Sequence, residues 1–244
     1  MLMKTTLHAD FASAVDSALS LLQEAGGLTP AIFSSSFGAE DMVVFDLIRQ
    51  SRLDIAIVTL DTGRLPEQTY TLMQQVQERY GACFETIHPD PQALRQLVRD
   101  NGVNGFYRSV ENRKACCAVR KVQPLGRALW GKRAWVTGLR AQQATTRSAV
   151  RGREYDVAYC LEKFNPLFDW TEQQVWEYLR ANAVPYNRLH DQGYPSIGCA
   201  PCTRAITVGE DARAGRWWWE ASETKECGLH RSAPKTIALR EELT

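Results

Sequence analysis

Short apolar runs rich in β-branched residues alternate with longer segments of helical spacing along most of this chain. Pro30 to Phe33 begins an apolar strand that runs into Ser34-Ser35-Ser36-Phe37-Gly38, and Ala39 to Arg49 then repeats apolar residues at helical intervals. Asp54 to Leu60 (DIAIVTL) reads as a second strand closing on Asp61-Thr62-Gly63. Pro66 suits the first turn of a helix that continues to about Tyr80. Cys83 to His88 reads as a third strand and Ala134 to Gly138 (AWVTG) as a fourth, while Thr171 with Gln174 gives TEQQVWEYLR a capping-box start. The first 26 residues also carry helical spacing, interrupted by Asp10 and Asp16. They lack a compact apolar signal core, so the expectation is a surface helix in a cytoplasmic protein. Regular patterning fades after Pro185.

Strands that alternate with helices imply an α/β fold, a mainly parallel twisted sheet with helices on both faces. The division expected is a nucleotide-binding core over 28–185 and a segment over 186–244 that wraps or covers the sheet, the two forming one domain. Ligands of such sheets sit at the carboxyl ends of the strands. That rule gathers the serine-rich loop, the Asp61-Thr62-Gly63 turn and the loop after Thr137-Gly138 around one crevice. In SSSFGAED, hydroxyls and amides at a helix start suit phosphate or sulfate oxygens, or form an ordinary serine-rich turn. The loop has no GxxxxGK[ST] pattern. LDTGRLPEQTY is equally open, as a helix start or a nucleotide contact.

With 44% hydrophobic and 23% charged residues the composition is that of a globular core, not of a disordered chain or coiled coil. No apolar stretch is long enough to span a membrane. Net charge is only +1, yet between Arg108 and Arg153 twelve Lys or Arg stand against one acid, Glu111. Such a run makes either a solvated basic face with affinity for nucleic acid or a pocket for a multiply charged anion. Because it encloses Cys116 and Cys117, the pocket is the preferred reading. Arg213 and Arg216 would share one face of a helical segment, fit to hold an anion, or would be exposed charge. Trp217, Trp218 and Trp219 read as packing anchors.

Five of the seven cysteines form a pattern: Cys116-Cys117, the CxxC of Cys199 and Cys202, and Cys227 in KECGLH. Two thiol pairs make an all-sulfur, four-ligand set that suits an iron–sulfur cluster or zinc, or else two buried pairs without metal. Adjacent cysteines converge awkwardly on one zinc ion, whereas a cubane offers separate iron corners. Cys227, beside Lys225 and His230, is either an activated nucleophile or an inert thiol. Cys83 and Cys160 lie in strand-like runs and are expected in the core.

SSSFGAED, LDTGRLPEQTY, CCAVRK, GLRAQQATTR, SIGCAPCTR, AGRWWWE and KECGLH, in that order from residue 34 to residue 230, resemble the sulfonucleotide reductases. Among these the chain is most similar to the bacterial, cluster-containing adenosine 5′-phosphosulfate (APS) reductases. The cysteine set is what separates it from reductases of the 3′-phosphorylated nucleotide (PAPS). Asp61 stands where Glu is common and Ala144 where Ser is common.

The resemblance implies an adenine nucleotide α-hydrolase-like fold with a mobile C-terminal segment. It implies one [4Fe–4S] cluster per chain on Cys116, Cys117, Cys199 and Cys202, with Cys227 as nucleophile. Phosphate and sulfate fall to Lys121, Arg147, Arg213, Arg216 and His230. The nucleotide falls to Ser34, Ser35, Ser36, the run Leu60, Asp61, Thr62 and Gly63, and the turn from Gly138 to Arg140. The implied activity is thioredoxin-dependent reduction of APS to sulfite and AMP in sulfate assimilation and cysteine biosynthesis, with PAPS or dual-specificity reduction as the alternative. Thioredoxin or glutaredoxin would be a separate protein, the assembly a homo-oligomer, and neither nucleic acid nor membrane a partner.

Overall fold

A computed structural model describes residues 9–143 and 147–221. Its elements run α1 (Ala9–Gly27), β1 (Ala31–Ser35), α2 (Ala39–Ser51), β2 (Ile55–Leu60), α3 (Glu67–Tyr80), β3 (Glu85–Ile87) and α4 (Pro91–Asn101). They continue with α5 (Val110–Cys117), α6 (Gln123–Leu129), β4 (Ala134–Val136), the β5–β6 hairpin (Arg153–Asp156 and Leu161–Phe164) and α7 (Glu172–Ala181). Among the described residues no helix is long and apolar enough to cross a membrane.

The six strands form one sheet in the order β3-β2-β1-β4-β6-β5, parallel except for β5. Alternation along each strand explains the layers on both faces. Ala31 and Phe33, Ile55 and Ile57, and Ala134 and Val136 face a core that includes residues of α1, α2, α3 and α7. Ile32, Val58, Trp135 and Leu161 point the other way, onto Leu125 and Leu129 of α6. The strand order reverses between β1 and β4, so a crevice opens where their carboxyl ends diverge.

All four expected strands and the helices after β1 and β2 are present. Pro66 caps α3 from outside it, and Thr171 and Gln174 form the expected capping box on α7. The sequence pattern missed α4, α5, α6 and the hairpin. β5 is REYD at the edge of the sheet and β6 is LEKF beside it, and their charged residues mask the period of two. Cys160 is a correction: it is exposed in the hairpin turn at φ 54°, not in the core, and Cys83 is only half-buried, outside any strand. After α7 come turns and short 3₁₀ segments, as the fading pattern implied.

Between α5 and α6 the helix widens into one π turn over Ala118–Val122. Pro124 has no N–H to give the Arg120 carbonyl, so the α ladder opens there. Arg120 and Lys121 sit in that widened turn, one turn after the paired cysteines.

Candidate active site

A cavity of about 280 Å³ occupies the crevice at the β1/β4 reversal. Ser34 and Ser35 end β1, and Ser36 begins the loop. Their hydroxyls are bound to the protein's own frame. Ser34 Oγ accepts from Trp135 Nε1 at 2.8 Å and Ser35 Oγ accepts from the Phe37 N–H at 3.1 Å. Ser36 donates from both N–H and Oγ to Asp41 Oδ2, at 2.6 and 2.7 Å. These oxygens retain acceptor or donor capacity toward the cavity, but their first task is to fix the loop.

Asp41 is the hub of that loop. Burial, partly offset by the Ser36 hydrogen bonds, raises its carboxyl to about 6. Opposite it, a Cβ on Gly138 would lie 2.2 Å from Asp41 Oδ1, so glycine lets the turn after β4 come this close to the start of α2.

Of the sequence-derived site residues, Ser34, Ser35, Ser36, Leu60, Thr62, Lys121, Gly138, Arg140, Arg147, Arg213 and Arg216 all line this one cavity. Asp61 and Gly63 do not: Asp61 accepts from the Gly63 N–H and from Tyr70 Oη, both at 2.8 Å. Thr62 faces the cysteines, its Oγ1 3.3 Å from Cys199 Sγ, and its carbonyl accepts from Arg120 at 2.6 Å. Cys227, His230 and Ala144 lie outside the described residues.

The basic run resolves into separate tasks. Arg113 pairs with Glu220, Arg120 binds the Thr62 carbonyl, Arg127 binds the His88 carbonyl, and Arg153 pairs with Glu24 and Glu162. Only Lys121, Arg140 and Arg147 of that run reach the cavity. Arg140 arrives already neutralised, with Glu40 2.8 Å away and the Trp170 carbonyl accepting at 3.1 Å.

Arg213 and Arg216 do not share a helix face. Their segment consists of turns, and Arg216 bridges Thr203 like a strand residue. The fold still brings both to the cavity, because Arg216 donates to Ser196 Oγ and the Ile197 carbonyl at 3.2 Å each. A Cβ on Gly198 would stand 2.3 Å from the Arg216 guanidinium, which accounts for the glycine in SIGC. Trp217 is buried and Trp219 packs on Tyr107, as anchors should, whereas Trp218 is half-exposed.

The two cysteine pairs meet beside this wall. None of the four is in a disulfide, and Cys116, Cys199 and Cys202 lie within electrostatic reach of one another. Burial pushes Cys116 up and Cys202 up to about 12, opposed by Arg120 at the first and by Lys121 and Arg216 at the second. Among the described residues no three His, Cys, Asp or Glu side chains converge on a single ion. Thiolates around one zinc stand only about 3.8 Å apart, from a Zn–S bond of about 2.3 Å. A polynuclear cluster spaces its ligands more widely, and this grouping of buried thiols ringed by cations fits it.

Sequence reasoning missed Trp135, Gln143, Trp176, His190 and Ser196, which also line the cavity. His190 sits against Trp176, and burial lowers its basicity. Only the run LHDQGYPSIGC, joined to the CxxC, could have pointed to it.

The phosphoadenosine phosphosulfate reductase domain family matches residues 30–205. The adenosine 5′-phosphosulfate reductase of Allochromatium vinosum is 60% identical over 204 residues, covering 84% of this chain and 80% of that protein. The adenosine 5′-phosphosulfate reductase of Burkholderia cepacia is 50% identical over 227 residues, covering 93% of this chain and 91% of that protein. Among solved structures, a phosphoadenylyl-sulfate reductase from Candida auris in complex with phosphate superposes with a TM-score of 0.66. It is 26% identical and covers 83% of this chain and 99% of that one.

Proposed function

The chain belongs to the phosphoadenosine phosphosulfate reductase domain family, and from that premise we propose that it reduces adenosine 5′-phosphosulfate to sulfite and AMP with electrons from a thioredoxin or glutaredoxin. The observation that carries the reading is a single cavity with Lys121, Arg147, Arg213 and Arg216 along its wall and four thiols behind them.

In the proposed reaction the Cys227 thiolate attacks the sulfur of the substrate, and AMP leaves with the bridging oxygen. The product is an S-sulfocysteine. A thiolate of the reductant then attacks Cys227 Sγ, sulfite departs with the other sulfur, and a mixed disulfide forms. A second thiol of the reductant resolves it, restoring Cys227 and leaving the reductant as a disulfide. Both electrons come from that dithiol. An anion attacking an anion needs the charge between them neutralised, and Lys121, Arg147, Arg213 and Arg216 are assigned to do so by pairing the phosphate and sulfate from the moment the substrate binds.

Cys116, Cys117, Cys199 and Cys202 would hold a [4Fe–4S] cluster. When bound, it supplies a fixed scaffold and a polarising charge beside Lys121. Preference for APS over PAPS is supported by Arg140, whose charge is already balanced by Glu40 and so does not offer itself to a 3′-phosphate.

The test is sulfite release from each nucleotide by anaerobically purified protein with reduced thioredoxin, for wild type and Cys227→Ser. The expectation is a kcat/KM that favours APS and no sulfite from the variant, with APS binding retained. A Cys227→Ser protein keeping a tenth of the activity would remove Cys227 as nucleophile. Equal kcat/KM for both nucleotides would make the enzyme dual-specific.

A further inference from the structure

Two guanidinium groups share one buried indole. Arg113 and Arg216 each place Cζ 4.8 Å from the centre of the Trp217 ring, within cation–π range, and Trp217 is 1% exposed. Their partners differ. Arg113, fully buried on α5, is bound bidentately by Glu220, with Nε–Oε1 at 2.9 Å and Nη2–Oε2 at 2.7 Å. Arg216 has no carboxylate partner among the described residues. Its contacts are the neutral Ser196 Oγ and Ile197 carbonyl, and its Nε is buried without a partner there.

We infer that Arg113 and Glu220 are positioning residues for Arg216, acting through Trp217. Two like charges on one ring repel each other. Pairing one with Glu220 removes that repulsion and leaves the ring's attraction to hold the other, charged and oriented toward the cavity. The backbone supports the same arrangement. The Trp217 N–H donates to the Cys202 carbonyl at 3.1 Å, and the Glu220 N–H donates to the Trp217 carbonyl at 2.8 Å. Trp217 itself adopts φ 42°, a left-handed conformation that a non-glycine residue holds only where its surroundings enforce it. The unit therefore joins the Cys116-Cys117 helix, the CxxC turn and the arginine of the anion wall into one body.

This inference rests on the proposed reading of the cavity, and the experiment separates the two. KM and kcat for APS are measured on cluster-loaded protein for wild type, Glu220→Gln and Trp217→Phe, with iron per chain and thermal unfolding recorded on the same samples. Loosening Arg216 removes binding that ground and transition states share, so KM should rise at least tenfold while kcat stays within about threefold and iron is unchanged. A KM within twofold of wild type, with losses confined to yield or melting temperature, would make the unit merely structural and overturn the inference. Should Glu220→Gln not fold, Trp217→Phe decides alone. Wild-type protein that makes no sulfite from APS would sink the functional reading instead. The positioning claim is then read from the dissociation constant of AMP, which the same substitutions should raise tenfold, and equal constants would overturn it.

Discussion

The two sides of the cavity are built by different means. On the strand side, β1, β2 and β4 are parallel strands whose alternating residues disappear into two apolar cores, and the serine loop hangs from Asp41. On the opposite side, residues 196–220 form no strand or α-helix, and polar side chains and rings hold them in place. Arg216 reaches Ser196 and the Ile197 carbonyl, Arg204 pairs with Glu210, and Glu220 binds Arg113. The first side draws its stability from buried area and a hydrogen-bonded ladder, which many sequences supply. The second depends on individual polar and charged contacts between particular side chains. A wall made this way can present cations to a ligand, but it tolerates single changes poorly.

The largest expected effect tests that difference directly. Glu220→Gln leaves Arg113 charged and buried without its partner, a change that costs about 3–5 kcal/mol when one member of a buried pair is removed. Urea denaturation at neutral pH should show a loss of that size. A cost below about 1 kcal/mol, typical of an exposed pair, would mean that the wall does not hang on this contact.

Next comes Asp41, a buried carboxyl on the strand side with a raised pKa. Desolvation lifts its carboxyl from 3.8 to about 6 in the folded chain. The folded state therefore holds this proton more tightly than the unfolded state. The stabilisation it gives is full below about pH 4 and is lost as pH rises through about 6. About two pH units correspond to roughly 3 kcal/mol. Asp41→Asn should remove this dependence, so that the stability difference between variant and wild type shifts in the variant's favour by about that amount between pH 4 and pH 7. A constant difference across this range would show that Asp41 titrates normally.

Legibility in the sequence divides along the same line. β1, β2, α2, α3 and the capping box of α7 were readable because period and capping are local properties, repeated over several residues. The crevice followed from them by topology alone. The partition of the basic run was not readable. Arg113, Arg120 and Arg140 look alike beside Lys121 and Arg147, and only tertiary contacts with Glu220, Thr62 and Glu40 distinguish them. Arg213 and Arg216 come to one cavity but not along one helix face, and Arg216 reaches it through Gly198 and Ser196 of a distant turn. The missed hairpin is an edge element whose charged residues hide the alternation.

Gly138→Ala probes the one place where the strand side is as unforgiving as the wall. The new methyl would meet Asp41 Oδ1 at 2.2 Å and the Asp41 backbone nitrogen at 3.1 Å. Because that nitrogen lies in α2, the end of β4 and the start of α2 must separate, and overpacking of this kind costs about 1–3 kcal/mol. The serine loop moves with Asp41, so nucleotide affinity should fall as well. Unchanged stability with unchanged AMP binding would show that α2 can slide without consequence.

The smallest effect is expected at Thr171, whose Oγ1 accepts from the Gln174 N–H at 3.2 Å while the Thr171 N–H donates to Gln174 Oε1 at 2.8 Å. Thr171→Ala removes one side of the box and should cost about 1 kcal/mol. Apolar packing of Val175, Tyr178 and Leu179 keeps α7 in place regardless. The same loss of one polar contact is therefore modest here and severe at Glu220, because water reaches the freed N–H of a partly exposed helix start and does not reach Arg113. Denaturation of the two variants side by side gives that ratio. A Thr171→Ala cost equal to that of Glu220→Gln would erase the distinction between a side held by area and a side held by charge.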